Sequence, residues 1–146
     1  MAYTASSLSF MLENLSKPVI LTGSQIPILE LKNDAVDNFL GALLIAGHYS
    51  IPEVSIFFGN KLMRGNRCTK NSTTKIVAFE SVNFGHLGEV GVNFNICWSR
   101  VLQHNFEGDL NVFTDMSEDI SIINMSPCIN LKVIESILCN SKAVVI

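Results

Sequence analysis

The sequence lacks any apolar run approaching the roughly 18 residues that a membrane span requires. Its longest stretch, residues 39–46, is short and already contains Gly41. It also lacks a cationic surplus: ten basic against thirteen acidic residues leave a formal net charge of −3, the wrong sign for the phosphate neutralisation on which nucleic-acid binding depends. Neither a membrane nor a nucleic acid is expected as a partner. At Met1-Ala2-Tyr3-Thr4-Ala5 no positive segment leads into an apolar one, so no secretory signal is read and the expected location is cytoplasmic. Cysteines are few and scattered. Cys68, Cys97, Cys128 and Cys139 contain no Cys-x-x-Cys pair, which argues against a zinc site and a disulfide framework and for reduced thiols.

What is present supports a real core. Hydrophobic residues make up 48% of the 146 positions, and a complete domain of this size buries about 70% of its unfolded surface. Leu8, Met11, Leu12 and Leu15 recur at helical spacing, which predicts a helix over residues 4–15 that Lys17-Pro18 stops. Pro18-Val19-Ile20-Leu21-Thr22-Gly23 reads as a short strand buried on both faces. The loop Ser24-Gln25-Ile26-Pro27-Ile28 leaves the carboxyl end of that strand, where open α/β sheets place their ligands. Asp34 is then expected to cap a helix packed through Val36, Phe39, Leu40, Leu43 and Leu44, fading at Gly47-His48-Tyr49. Val54-Ser55-Ile56-Phe57-Phe58 is a second buried strand. Two strand-helix alternations within sixty residues predict the α/β class: part of a doubly wound mixed or parallel sheet flanked by helices.

Gly85, Gly88 and Gly91 are spaced for turns and lack the strand-then-helix context of a dinucleotide fingerprint. His86 among them has no partnered ligands and reads as a surface or packed residue. The acidic, polar stretch 106–118 reads as a linker, which divides the chain into residues 1–105 and 119–146. The latter shows a strand from Ile120, a helical face of Ile129, Val133, Ile134, Ile137 and Leu138, and the strand Ala143-Val144-Val145-Ile146, the start of a second, smaller α/β domain.

The chemistry-bearing stretch is Arg64-Gly65-Asn66-Arg67-Cys68-Thr69-Lys70. A lysine at a strand-to-loop junction, if buried or half-buried, has an adjustable proton affinity, whereas the guanidinium groups of Arg64 and Arg67 only hold charge. Lys70 is therefore the candidate for proton transfer.

The succession Met1-Ala2-Tyr3-Thr4-Ala5, Pro18-Val19-Ile20-Leu21-Thr22-Gly23-Ser24-Gln25-Ile26-Pro27, Asn33-Asp34, Asn38-Phe39-Leu40-Gly41-Ala42-Leu43 and Arg64 through Lys70 resembles the bacterial-type L-asparaginase family, nearest its cytosolic type I branch. The resemblance implies hydrolysis of L-asparagine to L-aspartate and ammonia with no metal or cofactor. It implies a threonine nucleophile in a Gly-Thr-Gly-Gly-Thr segment and a Thr-Asp-Lys group whose lysine matches Lys70. Ser24, whose backbone carbonyl matches a substrate contact, and the adjacent Gln25 are the implied substrate-binding residues, and the full-length protein is implied to be a homo-oligomer. Met1 is similar to the methionine that closes the family's His-Gly-Thr-Asp-Thr-Met motif, so the expectation is a fragment that retains Lys70 and is inactive alone. The alternative is a non-catalytic paralogue or truncated isoform acting as a binding or oligomer subunit. The family's Asp-Gly is Asp34-Ala35 here, and Tyr3, within the first helix, is not taken for the family's flexible-loop tyrosine.

Overall fold

In the computed structural model, which describes residues 1–103 and 108–146, the chain divides into two units, Met1–Phe113 and Thr114–Ile146. Residues 106 and 107 of the expected linker lie outside the described residues. The first unit runs α1 (Ala2–Met11), β1 (Leu12–Glu13), β2 (Val19–Leu21), α2 (Ala35–His48), β3 (Val54–Phe58), β4 (Lys61–Arg64), β5 (Thr69–Lys70), β6 (Phe79–Glu80), β7 (Gly88–Val90), β8 (Phe94–Ile96) and β9 (Asn111–Val112). The chain belongs to the α/β class. Its main sheet has the order β2-β3-β4-β7-β8, with β2 and β3 parallel and the other neighbours antiparallel.

All five residues of β3 are buried, as a run of β-branched and aromatic side chains between two covered faces requires. On one face Val54, Ile56 and Phe58 pack with Met63, Phe79 and Ala5 of α1. On the other, Phe57 and Leu62 pack with Ala42 and Ile45 of α2. Gly59 and Asn60 both adopt positive φ (56° and 64°), which forms a two-residue hairpin turn whose twist matches the strands and sends β4 back along β3. That hairpin was not foreseen from the sequence, because Lys61 and Arg64 mask the strand pattern.

Four expectations are corrected. The first helix ends at Met11, because Leu12 and Glu13 pair with Val112 and Asn111 of β9 and Asn14 follows with φ 58°. β2, at the sheet edge, is half-buried along its whole length. Gly88 lies inside β7 rather than in a turn, where a Cβ would come within 2.7 Å of Ile96 Cδ1. α2 has the expected extent but the opposite face inward: Asn38, Gly41, Ala42 and Ile45 are buried, whereas Val36, Phe39, Leu40, Leu43 and Leu44 are 45% to 58% exposed. Small residues face the sheet because the helix approaches so closely that a Cβ at Gly41 would stand 2.4 Å from the Phe57 ring.

The second unit is a βαβ element: β10 (Ile120–Ile122), α3 (Leu131–Asn140) and β11 (Ala143–Val145), with the two strands parallel. Asn130 caps α3 by accepting the Lys132 N–H at 2.9 Å. No residue of α3 is buried, and of the predicted apolar face Ile129, Ile134 and Ile137 are half-buried.

The Gly41 contact is testable. Helix propensity favours Gly41→Ala by about 1 kcal/mol, whereas overpacking a fixed ring costs about 1–3 kcal/mol. Phe57 is fully buried, so its ring has nowhere to turn. Net destabilisation is expected in a denaturant titration, and a raised midpoint would show that the helix does not press on Phe57.

Candidate functional site

A cleft of about 750 Å³ opens in the first unit beside the carboxyl ends of β2 and β3. Lys70, Ser24 and Gln25, the three residues singled out from the sequence, all line it, together with Met1, Thr22, Phe58, Cys68 and Phe79. Ser24 and Gln25 arrive on the loop after β2, and Lys70 on β5, whose partner in the ladder is Phe79 of β6. Phe79 in turn packs against Phe58 at the end of β3, with ring centroids 5.1 Å apart. Lys70 is exposed rather than buried, because β5 has a neighbour on one side only; its Nζ stands 5.9 Å from the centroid of the Phe79 ring.

The two arginines beside it serve elsewhere. Arg64 forms a bidentate ion pair with Glu53, which is buried, and donates to the Arg100 carbonyl at 2.7 Å. Its guanidinium also lies 4.5 Å from the Phe84 ring, with that of Arg67 at 5.3 Å. Neither lines the cleft, so Lys70 is its one basic side chain among the described residues. His86 is likewise outside it, with Nε2 3.6 Å from Glu89.

Cys68 brings a thiol to the cleft wall, and burial pushes its pKa up to about 11, against the opposing effect of a hydrogen bond from the Glu80 backbone. The thiol is therefore protonated at neutral pH and is a weak nucleophile. Among the described residues no group of three or more His, Cys, Asp or Glu side chains is placed to hold a metal ion.

Asp34 and Asn38 were missed as site residues. Asp34 does not cap α2 with its side chain; Asn33 Oδ1 accepts the N–H groups of Ala35 and Val36 at 3.1 and 3.4 Å in its place. The Asp34 carboxylate turns instead to the loop after β2, accepting the N–H of Gln25 at 3.0 Å and of Ile26 at 2.9 Å. Asn38 donates to that carboxylate at 3.1 Å and to the Gly23 carbonyl at 2.9 Å, and accepts the Gly59 N–H at 3.0 Å. Burial raises the Asp34 pKa, but hydrogen bonds from the Gln25, Ile26 and Asp34 N–H groups and the Asn38 amide outweigh it and hold the carboxyl below its ordinary 3.8. Its contribution to stability is thus full above that value and is lost as pH falls through the lower, folded one. The one sequence signal for this pair was the spacing, since residues i and i+4 share a helix face. The Gln25 side chain is held too, its Nε2 donating to the carbonyls of Thr73 and Lys75 at 3.1 and 3.2 Å.

Residues 1–102 match the family described as Asparaginase, N-terminal. The chain is 46% identical over 138 residues to L-asparaginase 1 of Escherichia coli (strain K12), covering 94% of this chain and 40% of that protein. It is 45% identical over 138 residues to the 60 kDa lysophospholipase of Homo sapiens, covering 94% of this chain and 24% of that protein. The chain thus spans between about a quarter and two fifths of these relatives' lengths. The crystal structure of L-asparaginase I from Vibrio cholerae O1 biovar eltor superposes with a TM-score of 0.89 at 44% identity, covering 99% of this chain and 44% of that one. By sequence over its first 102 residues and by fold over nearly all of its length, the chain belongs to the asparaginase family.

Proposed function

We propose that the chain contributes part of the site of an L-asparaginase-like amidohydrolase, which converts L-asparagine and water to L-aspartate and ammonia without a metal or cofactor. The observation that carries this reading is the single cleft shared by Lys70, Ser24 and Gln25 in a member of the asparaginase family.

Hydrolysis of a side-chain amide needs a nucleophile, a base to take its proton and donors for the tetrahedral oxyanion. In this reading a threonine hydroxyl attacks the amide carbon, and Lys70 relays the proton through a second threonine while an aspartate holds its ammonium form. The Gly-Thr-Gly-Gly-Thr and Gly-Thr-Asp-Thr motifs that bear those partners do not occur in the 146 residues. The Lys70 side chain, exposed along one wall, leaves its Nζ accessible to such groups. Ser24 accepts the substrate amide through its backbone carbonyl, with Gln25 beside it. The same reading makes the full-length protein a cytoplasmic homo-oligomer. It assigns residues 1–105 to an amino-terminal domain, 106–118 to a linker and 119–146 to the start of a carboxyl-terminal domain.

Two measurements test it. The purified 146-residue chain is expected to release no ammonia from L-asparagine above background; substantial activity abolished by Lys70→Ala would contradict the divided site. Grafted in place of the matching segment of E. coli L-asparaginase 1, the chain is expected to support asparagine hydrolysis. In that chimera Lys70→Ala should lower kcat by about four orders of magnitude or more, as loss of one member of a catalytic unit commonly does. A folded chimera without activity would favour a non-catalytic subunit instead.

A further inference from the structure

Asp34, immediately before α2, and Asn38, on the buried face of that helix, are 8% and 2% exposed and direct polar groups to the loop that walls the cleft. The helix does not need them, since Asn33 already satisfies the first N–H groups of α2. Nor does the core, which would be better served by an apolar residue at either position: a buried carboxylate is tolerated only when it is fully hydrogen-bonded. What the pair fixes is the backbone on both sides of Ser24.

The peptide unit between Gly23 and Ser24 is held through its carbonyl, which accepts from Asn38 Nδ2 at 2.9 Å. The next unit, between Ser24 and Gln25, is held through its N–H, which both Asp34 oxygens accept, at 3.0 and 3.1 Å. No peptide bond in the described chain is cis. In a planar trans peptide the C=O and N–H point in opposite directions. Fastening the Gln25 N–H to Asp34 therefore turns the Ser24 carbonyl away from Asp34 and fixes the plane in which it lies. Ser24 itself lines the cleft. Asn38 also accepts the Gly59 N–H, which ties the same device to the turn after β3.

We propose that Asp34 and Asn38 are positioning residues that aim the Ser24 carbonyl as a fixed acceptor for the amide NH₂ of a substrate in the cleft. The identity of that substrate rests on the amidohydrolase reading; the orientation of the two peptide planes does not. A backbone acceptor has no rotamer with which to correct its aim, so its placement is built from outside, and small errors in such placement cost binding and rate.

The test uses the chimera with E. coli L-asparaginase 1 described above, isotope-labelled, with L-asparagine as the probe, because the chain alone carries only part of the proposed site. For the unsubstituted chimera, L-asparagine is expected to shift the Ser24 carbonyl carbon resonance. Asp34→Asn places an NH₂ against the Asn38 amide, and is expected to keep the far-UV circular dichroism while amide exchange at Gln25 and Ile26 rises at least tenfold. Affinity for L-asparagine should fall at least tenfold, and the Ser24 carbonyl should no longer respond. If Asp34→Asn does not fold, Asn38→Ser takes its place: it frees the Gly23 carbonyl, leaves the carboxylate bonds to Gln25 and Ile26, and is read by the same affinity and carbonyl response. A folded variant with unchanged affinity and an unchanged carbonyl response overturns the positioning role. If the unsubstituted chimera folds and binds no L-asparagine, the amidohydrolase reading fails and the acceptor role falls with it, even where amide exchange responds as expected.

Discussion

Complete burial of β3 is the constraint from which the first unit follows. Its side chains alternate between a layer topped by α1 and a layer topped by α2, and neither layer closes without it. Each of Phe57, Phe58 and Ile56 removes a large apolar side chain from water, worth about 1.5–3 kcal/mol apiece. The strand also fixes the cleft. Phe58 at its carboxyl end holds Phe79, Phe79 sits opposite Lys70 in the β5–β6 ladder, and the neighbouring parallel strand β2 leads through Thr22 and Gly23 to Ser24 and Gln25. Lys70 is thus located by apolar contacts two steps removed from it.

Polar groups inside this unit perform a second task, which is to attach loops whose backbones have left the sheet. Glu53 accepts from the Arg64 side chain and from the Leu102 N–H at 3.0 Å, and Arg64 reaches the Arg100 carbonyl, so one ion pair secures residues 100–102 against the start of β3. Asp34 and Asn38 do the same for residues 23–26. Removing Arg64 leaves the buried Glu53 carboxylate without its cation, a heavier cost than the net worth of the contact. These side chains are best understood by what they hold rather than by the element that carries them.

The sequence made some of this legible. A run such as Val54-Ser55-Ile56-Phe57-Phe58 has no stable place other than a strand covered on both faces, and the ordered segments around Ser24 and Lys70 identified the family that the comparisons show. The inward face of α2 was not legible. Hydrophobic periodicity selects the larger apolar residues, whereas the sheet accepted Gly41 and Ala42 because close approach matters more than side-chain size at that contact. Asp34 was read as a cap for a similar reason: Asn33 and Asp34 are both good capping types, and their order along the chain does not say which one is occupied elsewhere. The hairpin at Gly59-Asn60 escaped because its second strand begins and ends in charged residues.

The two walls of the cleft differ in how firmly they are held, and the difference suits the chemistry proposed for them. On one wall the carbonyl of Gly23, the N–H groups of Gln25 and Ile26 and the side chain of Gln25 are all engaged. On the other, Lys70 stands at the end of a two-residue strand, with the face of Phe79 beneath its ammonium group. A backbone acceptor contributes through placement alone, so ordering it in advance lowers the cost of binding. A lysine that receives a proton and passes it on must instead change partners, and a flexible four-carbon stem with three rotatable donors permits that where a guanidinium locked to a carboxylate, as Arg64 is to Glu53, does not. The proposed acceptor and the lysine thus stand on separate elements, and β3 holds them at a common cleft.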